Sequence, residues 1–535
     1  MNSVQAAPAA QRGANPPAVG RTLAVTLEGL SATIVAVEVI AIANLPNFII
    51  TGLPDTALAE SRDRIRAAFA STGFAWPNKR VTVNLSPAAV HKSGSAFDIG
   101  IAVAVLAAAG FIPPEAIEGT MHLGELGLDG AARPMRGTLP AVVAARTAGI
   151  RRVVVPAGNL LEAKLIDGPQ IVGVESLAEL AESYGATVPW RHTASASKQV
   201  HGTHVPGIPD SAGGAARPMP DMADVIGQDI AKQALEIAAA GGHHMLMCGP
   251  PGTGKTMLAS RLPGILPPLE RDAAIEVTAV HSIAGLFQPQ GGLITRPPFE
   301  APHHTATPAA IVGGGSGIPR PGAASRAHRG VLFLDEAPEF SARVLETLRQ
   351  PLESGQIVLA RALGQATYPA RFQLVLAANP CPCGLAIGKG IECRCSSVAR
   401  RRYLERLSAP FRDRIDLQVE VESVPDGALE ATSRETSASV ARRVAQARAA
   451  QLERLAGYGW STNREADGAW LRGKLGESSG AVRAAREARR VGLASMRGMD
   501  SVLRVAWTIA DLEGRPAPGA SDVDAALTLR SGLDR

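Results

Sequence analysis

The string GPPGTGKT at 249–256 constrains the fold more than any other part of this chain. It fits the phosphate-binding pattern G-x-x-x-x-G-K-[ST]. The backbone N–H groups from Gly252 to Thr256 can wrap a β-phosphate, Lys255 can reach the β- and γ-phosphates, and the Thr256 hydroxyl can ligate Mg²⁺. Upstream, HHMLMCG (243–249) reads as a short buried strand, and TMLASRL (256–262) opens a helix, which is the context the motif requires. Some 75 residues further on comes GVLFLDE (330–336), an apolar strand ending in two carboxylates. Asp335 is suited to the Mg²⁺ shell and Glu336 to orienting or deprotonating the attacking water. A lone glycine-rich loop is often an ordinary tight turn, but the two strings together, in this order, predict ATP binding and hydrolysis.

A length of 535 residues suggests about three domains. Hydrophobic content of 46% and charged content of 19% are those of a globular protein. The net charge of +5 permits nucleic-acid binding without arguing for it, since much of the excess is Arg on helices that can be solvated faces. Residues 1–20 lack the apolar stretch of a secretory signal. The run IGIAVAVLAAAGFIPP (99–114) is too short for a membrane span and reads as a buried helix. Five cysteines, four of them clustered, indicate a reducing compartment and a local site, so the cytoplasm is the expected location.

Residues 1–20 read as a disordered tail. From 21 to 185, β-rich runs (TLAVTLEGL, ATIVAVEVIAIA, NFIITGL, KRVTVNL, RRVVVP) alternate with helical patterns (TALAESRDRIRAAFAST, AFDIGIAVAVLAAAG, TLPAVVAARTAG), giving an α/β domain. Residues 186–220 lose periodicity and gather Ser, Gly, Pro and His, as a linker does. Strands and helices alternate again over 221–422, and 423–535 is helical in pattern, with AVRAAREARRVGLASM (481–496) read as one helix.

Several further residues are candidates. Asn379 ends the strand FQLVLAAN (372–379) and can orient water near a γ-phosphate, or satisfy local backbone groups. Arg414, in APFRDRIDLQVEV (409–421), can be an arginine finger aimed at a neighbouring subunit, or pair with Asp413 or Asp416; local sequence alone favours the pair. Cys381, Cys383, Cys393 and Cys395 form two C-x-C pairs that can close a tetrahedral Zn²⁺ site. Small buried side chains or a redox pair are the alternatives. His303 and His304 are adjacent, which on an extended chain sends them to opposite sides and disfavours one shared ion. Arg62, Arg64 and Arg66 fall within two helical turns, either as a phosphate-contacting face or, as favoured, as a surface helix salt-bridged to Glu60 and Asp63.

Taken together, DVIGQDIAKQALEIAAAGGHHMLMCGPPGTGKT, APHHTATPAAIVGGG, RPGAASRAHRGVLFLDEAPEFSARVLETLRQPLE, PARFQLVLAANPCPCG and LSAPFRDRIDLQVEV resemble the magnesium-chelatase-like AAA+ ATPases, and within them the bacterial ComM/YifB competence-protein family. The resemblance runs from about 21 to 530. It implies an AAA+ P-loop core with a helical lid, the loop residues Gly249, Pro250, Pro251, Gly252, Thr253, Gly254, Lys255 and Thr256 as Walker A, and Asp335 and Glu336 as Walker B. It further implies Asn379 as sensor 1 and Arg414 as the arginine finger. VIGQ (225–228), with Ile226, is similar to the segment flanking the adenine, and Arg497 matches sensor 2, although Met499, Asp500 and Trp507 depart from the usual pattern of that helix. Such proteins form hexameric rings in which Arg414 of one subunit completes the site of the next. The implied activity is an ATP-driven DNA motor, branch migration or helicase action on recombination intermediates during natural transformation, with ATP and Mg²⁺ as cofactors, DNA as partner and no membrane.

KSGSAFDIGIAVAVLAAAG (92–110) and HLGELGLDGAARPMRGTLPAVVAARTAGIRRVVVP (122–156) resemble the proteolytic domain of Lon, whose Ser nucleophile is activated by a Lys. This sequence puts Asp98 where the Ser stands and Leu139 where the Lys stands. Ser93 and Ser95 lie nearby, but no lysine follows until Lys164, so the domain is expected to be non-proteolytic. Competing readings of the whole are a magnesium-chelatase motor subunit, which the Lon-like domain and the cysteines oppose, an ATP-dependent peptidase, and a nucleotide-gated assembly scaffold.

Overall fold

The computed structural model describes residues 18–52, 56–90, 92, 94–189, 219–315, 319–361, 364–386, 393–422, 434–493 and 495–532. The chain divides into two compact units, one from Met1–Pro206 with the short segments Gln288–Gly292 and Ala362–Gly364, the other from the remainder.

The first unit is built on a seven-stranded sheet. Its strands are β1 (Val19–Glu28), β2 (Ser31–Ile42), β3 (Asn47–Thr51), β4 (Arg80–Ser86), β5 (Thr120–His122), β6 (Arg152–Pro156) and β7 (Gln170–Val174). They lie in the order β3-β4-β2-β1-β5-β6-β7. β1, β2 and β4 pair antiparallel, and the remaining neighbours are parallel. Helix α1 (Thr56–Thr72), the apolar α2 (Asp98–Ala109) and α3 (Thr138–Thr147) accompany the sheet. Ile99 to Ala108 of α2 are all buried, so this short apolar run is the core helix its length requires. It ends at Gly110, whose φ of 84° supplies the left-handed cap. The expected tail boundary at residue 20 needs correction, because β1 begins at Val19. A Cβ on Gly20 would lie 2.1 Å from the Ala104 carbonyl oxygen, so the glycine lets the strand pass directly against α2. Residues 1–17 and 190–218, most of the expected tail and linker, lie outside the described residues.

The arginines of α1 also depart from expectation. Arg64 donates to the buried carboxylate of Asp98, with Nε 2.7 Å and Nη2 3.2 Å from its two oxygens, and only loosely approaches Glu60 at 3.9 Å. Arg66 stacks over Phe48 and Trp76, 5.7 and 5.5 Å from the ring centroids. Arg64 and Arg66 are thus engaged within the unit itself.

The second unit carries a five-stranded, wholly parallel sheet in the order β9-β10-β11-β8-β12. These strands are β8 (Met245–Cys248), β9 (Phe299–Glu300), β10 (Val331–Leu334), β11 (Gln373–Ala378) and β12 (Leu417–Glu420). Both faces are covered, which is why the strands read as continuous apolar runs. Met245, Met247, Val331, Phe333, Val375 and Ala377 pack on one face, together with residues of the C-terminal helices. Leu246, Leu332, Leu334, Leu374 and Leu376 pack on the other, against Val344, Leu345 and Phe411. The helices of this unit include α4 (Asp229–Gly241), α5 (Lys255–Ile265), α6 (Ser397–Glu405), α7 (Ser437–Arg454), α8 (Gly480–Arg490), α9 (Met496–Leu512) and α10 (Ala520–Arg530). The run read as one helix over 481–496 is broken. Gly492, at φ 81°, reverses the backbone after Arg490, and the Leu493 N–H returns to the Ala488 carbonyl. Ion pairs fix the C-terminal helices to one another and to α4: the largely buried Arg454 lies 2.7 Å from Asp511, and the half-exposed Arg443 2.5 Å from Glu236.

Candidate functional site

A parallel strand delivers the chain to the C-terminal edge of the sheet, and there the phosphate loop forms. β8 ends at Cys248, Gly252 and Gly254 adopt φ of 84° and 90°, and Lys255 begins α5. Gly249 has no room for a side chain, since a Cβ would come 2.1 Å from the Val421 carbonyl oxygen. The Lys255 side chain is almost buried, and its ammonium donates to the carbonyls of Gly249 at 2.7 Å and Pro250 at 2.6 Å. It also donates to Asn379 Oδ1 at 3.3 Å. Burial pulls the Lys255 pKa below its ordinary value, against the nearby Asp335 and Glu336 carboxylates.

The two sequence motifs meet. Thr256 Oγ1 donates to Asp335 Oδ2 at 2.7 Å, so a hydroxyl and a carboxylate converge where a hard cation takes oxygen ligands. This pairing, with the lysine beside it, is the donor set that ATP·Mg²⁺ needs, and the residues present fit that group. The backbone N–H of Glu336 donates to Asp335 Oδ1 at 3.0 Å, and Glu336 itself has φ of 51°, a strained conformation for a non-glycine residue. Asn379 follows β11, which lies between the Asp335 strand and the phosphate-loop strand.

Two residues named in the sequence make contacts that the sequence did not show. His304 Nδ1 lies 3.1 Å from Glu336 Oε2. The opposite-sides argument for the histidine pair fails because this segment is a turn and not a strand, and the two rings sit 4.1 Å apart. The second is Gln228, in the left-handed region at φ 61°, whose side-chain amide donates to the Thr253 carbonyl at 3.3 Å and so ties the VIGQ segment to the phosphate loop. Ile226, two residues earlier, is partly buried.

Arg414 and Arg497 lie elsewhere. β8 and β12 run parallel with Met245 beside Leu417 and Cys248 beside Glu420. The phosphate loop therefore leaves the C-terminal end of its strand, whereas Arg414 precedes the N-terminal end of the neighbouring one. Arg414 pairs with neither Asp413 nor Asp416. Its guanidinium contacts Glu353 and the Pro410 carbonyl, while Asp413 is held by Arg530 at 2.8 Å. Arg497 lies 2.7 Å from the same Glu353. The two arginines, expected to serve nucleotide chemistry, thus share one carboxylate at the wall of a cavity of about 1060 Å³ that also includes Arg464 and Arg504 and none of the residues 249–256. Arg497, expected beside the nucleotide, here accompanies Arg414 on Glu353.

The four cysteines come together after β11, their sulfurs all within 4.8 Å of one another. Cys381 is buried, Cys383 exposed, and the other two intermediate. In the first unit, Asp98 is fully buried at the start of α2. Burial pushes its carboxyl up, while Arg64 and the Leu126 N–H pull against that shift. Leu139 is fully buried too, with its backbone N–H on Glu162. The Ser95 hydroxyl contacts Glu125, and Ser93 lies outside the described residues.

The fold and this site together define an AAA+ P-loop protein with a helical lid, preceded by a Lon-like α/β domain. Family profiles agree along the chain: "Magnesium chelatase, subunit ChlI" over 221–429, "Subunit ChlI of Mg-chelatase" over 37–159, and "Magnesium chelatase, subunit ChlI C-terminal" over 434–530. An uncharacterized protein of Mycobacterium tuberculosis is 50% identical over 96% of this chain and 99% of its own length. YifB of Escherichia coli is 40% identical over 95% of this chain and 96% of its own. Competence protein ComM of Haemophilus influenzae is 40% identical over 91% and 92%. The chain belongs to the ComM/YifB family of magnesium-chelatase-like AAA+ proteins. Membership implies an ATPase that uses ATP and Mg²⁺ and assembles into oligomers. No helix among the described residues is long and apolar enough to cross a membrane.

Proposed function

We propose that this protein is a ring-forming ATPase motor that moves DNA, with branch migration or helicase action on recombination intermediates as its activity. The observation that carries the ATPase part is the meeting of Thr256 with Asp335 at 2.7 Å beside Lys255 and Asn379. On binding ATP, Lys255 exchanges its loop carbonyls for β- and γ-phosphate oxygens, and the N–H groups of 252–256 hold the β-phosphate. Thr256 and Asp335 hold the magnesium ion, which when bound neutralises phosphate charge. Glu336, held by His304, orients the attacking water and takes its proton, and Asn379 fixes the water's position. Arg414 serves the neighbouring protomer: its place at the N-terminal end of β12 puts it away from its own phosphate loop, so a second copy is the source of the nucleotide it meets. Arg497, on the same Glu353, joins it there.

The DNA part rests on family membership and on the relative named as a competence protein. Contacts to the strand are read as mainly ionic, so binding weakens as salt rises. Zinc on Cys381, Cys383, Cys393 and Cys395 is part of the same reading, as is a homo-hexamer in the presence of nucleotide and DNA. The test is strand displacement on a three-strand or Holliday-junction substrate with and without ATP. ATP-dependent displacement that disappears in Lys255→Ala is expected. No displacement by the wild type, or the same displacement by the variant, overturns the proposal.

A further inference from the structure

The cysteine cluster is placed where a metal would act on the nucleotide site. Asn379, at the end of β11, contacts Lys255, and the chain reaches the buried Cys381 only two residues later. The Cys381 carbonyl accepts from the Gly384 N–H at 3.0 Å, closing a tight turn. That turn lies directly on the phosphate loop. Gly384 has φ of 77°, and a Cβ there would meet Pro251 Cδ at 2.6 Å and Cγ at 3.1 Å. On the far side, the Cys395 carbonyl accepts from Arg400 Nε at 3.2 Å at the start of α6, and Arg406 just beyond that helix lies 2.9 Å from Glu339, three residues after Glu336.

The sulfur geometry suits a tetrahedral four-thiolate metal. Cys381 lies 3.3 Å from Cys383 and 3.6 Å from Cys393, and Cys383 lies 3.6 Å from Cys393. A tetrahedral ion with Zn–S bonds of about 2.3 Å separates its ligand sulfurs by about 3.8 Å. These three separations are close to that figure and far beyond an S–S bond of about 2.05 Å, and the Cys395 sulfur lies within 4.8 Å of the other three. Four thiolates leave no coordination position open, which is the arrangement of a structural and not a catalytic zinc. A soft, four-sulfur set disfavours magnesium or calcium.

We infer that zinc bound by Cys381, Cys383, Cys393 and Cys395 braces the phosphate loop through Gly384 and Pro251, so that zinc occupancy sets the affinity for ATP. This rests on the nucleotide-site reading above. Without the ion, the turn at 381–384 loses its closure, and the support under Pro251 and the fixed start of Asn379 loosen together.

The test measures zinc content by elemental analysis and affinity with a fluorescent ATP analogue, on the full chain. The wild type is expected to carry about one zinc per chain, and Cys383→Ser/Cys393→Ser to carry less than about 0.1 and bind the analogue about tenfold more weakly. Gly384→Ala is expected to keep its zinc yet bind the analogue several-fold more weakly, which separates the brace from any general loss of folding. A wild type without zinc, or with iron in its place, overturns the metal assignment. Unchanged analogue affinity in the zinc-free double variant and in Gly384→Ala overturns the brace. If Lys255→Ala binds the analogue as well as the wild type does, the nucleotide-site reading itself fails, whatever the zinc content.

Discussion

The two ends of the five-stranded sheet carry opposite chemistry. At the C-terminal end, backbone N–H groups, one lysine and the Thr256–Asp335 pair gather around a place for phosphate and a cation. At the N-terminal end, Arg414 and Arg497 close on Glu353, a carboxylate that occupies them in the isolated chain. In the proposed mechanism the first end is the nucleotide site. The second keeps its positive charge on Glu353, in a cavity whose lining includes none of the residues 249–256. The sheet thus carries the phosphate loop with the Thr256–Asp335 pair at one end and two arginines held by Glu353 at the other, and under the proposed mechanism a second copy brings the two together.

The largest effect is expected on the turnover of Arg414→Ala. The expected outcome is a fall in ATPase rate of about 10³-fold with nucleotide affinity unchanged, measured by phosphate release and by analogue binding. An equal fall in affinity would place Arg414 in its own chain's site. Next, Lys255→Ala is expected to weaken nucleotide binding by roughly 100-fold, the loss of charged hydrogen bonds worth about 3 kcal/mol. Mixing these two inactive variants sharpens the point, because roughly a quarter of the interfaces in a randomly mixed ring combine an intact loop with an intact Arg414. Activity of the mixture well above either variant alone is expected, and none would argue for a site closed within one chain. A smaller effect follows from His304→Ala, with turnover about tenfold lower at unchanged affinity, since the residue positions Glu336 and contacts no phosphate-loop group. The smallest is expected from Glu353→Gln. Freeing the two guanidiniums should raise turnover about two- to threefold at low protein concentration, where association limits the rate.

Much of the nucleotide end was legible in the sequence because its chemistry is contiguous. The phosphate loop, Asp335, Glu336 and Asn379 each close an apolar strand run, and a parallel sheet brings such strand ends together. What the sequence hid depends on pairing between distant segments. His304 follows a two-residue strand too short for a period-two signal, and only the pairing of Phe299 with Val331 aligns it with Glu336. Arg497 looked like a ligand of its own chain's nucleotide because a helical pattern carries no information about which end of a sheet the helix will approach. Gly20 passed for part of a tail, since close packing against a helix backbone has no local signature. The bland partners proposed for Arg414 failed for the same reason: Glu353 lies 61 residues away in sequence.

The Asp98–Arg64 pair in the first unit anchors α1 to the start of α2. A serine at 98 would take away the carboxylate that holds Arg64 and accepts from the Leu126 N–H. Leu139 would still offer no proton acceptor. A serine–lysine pair on this scaffold would therefore need positions 64, 98 and 139 to change together, so the same position cannot both anchor α1 and carry a nucleophile.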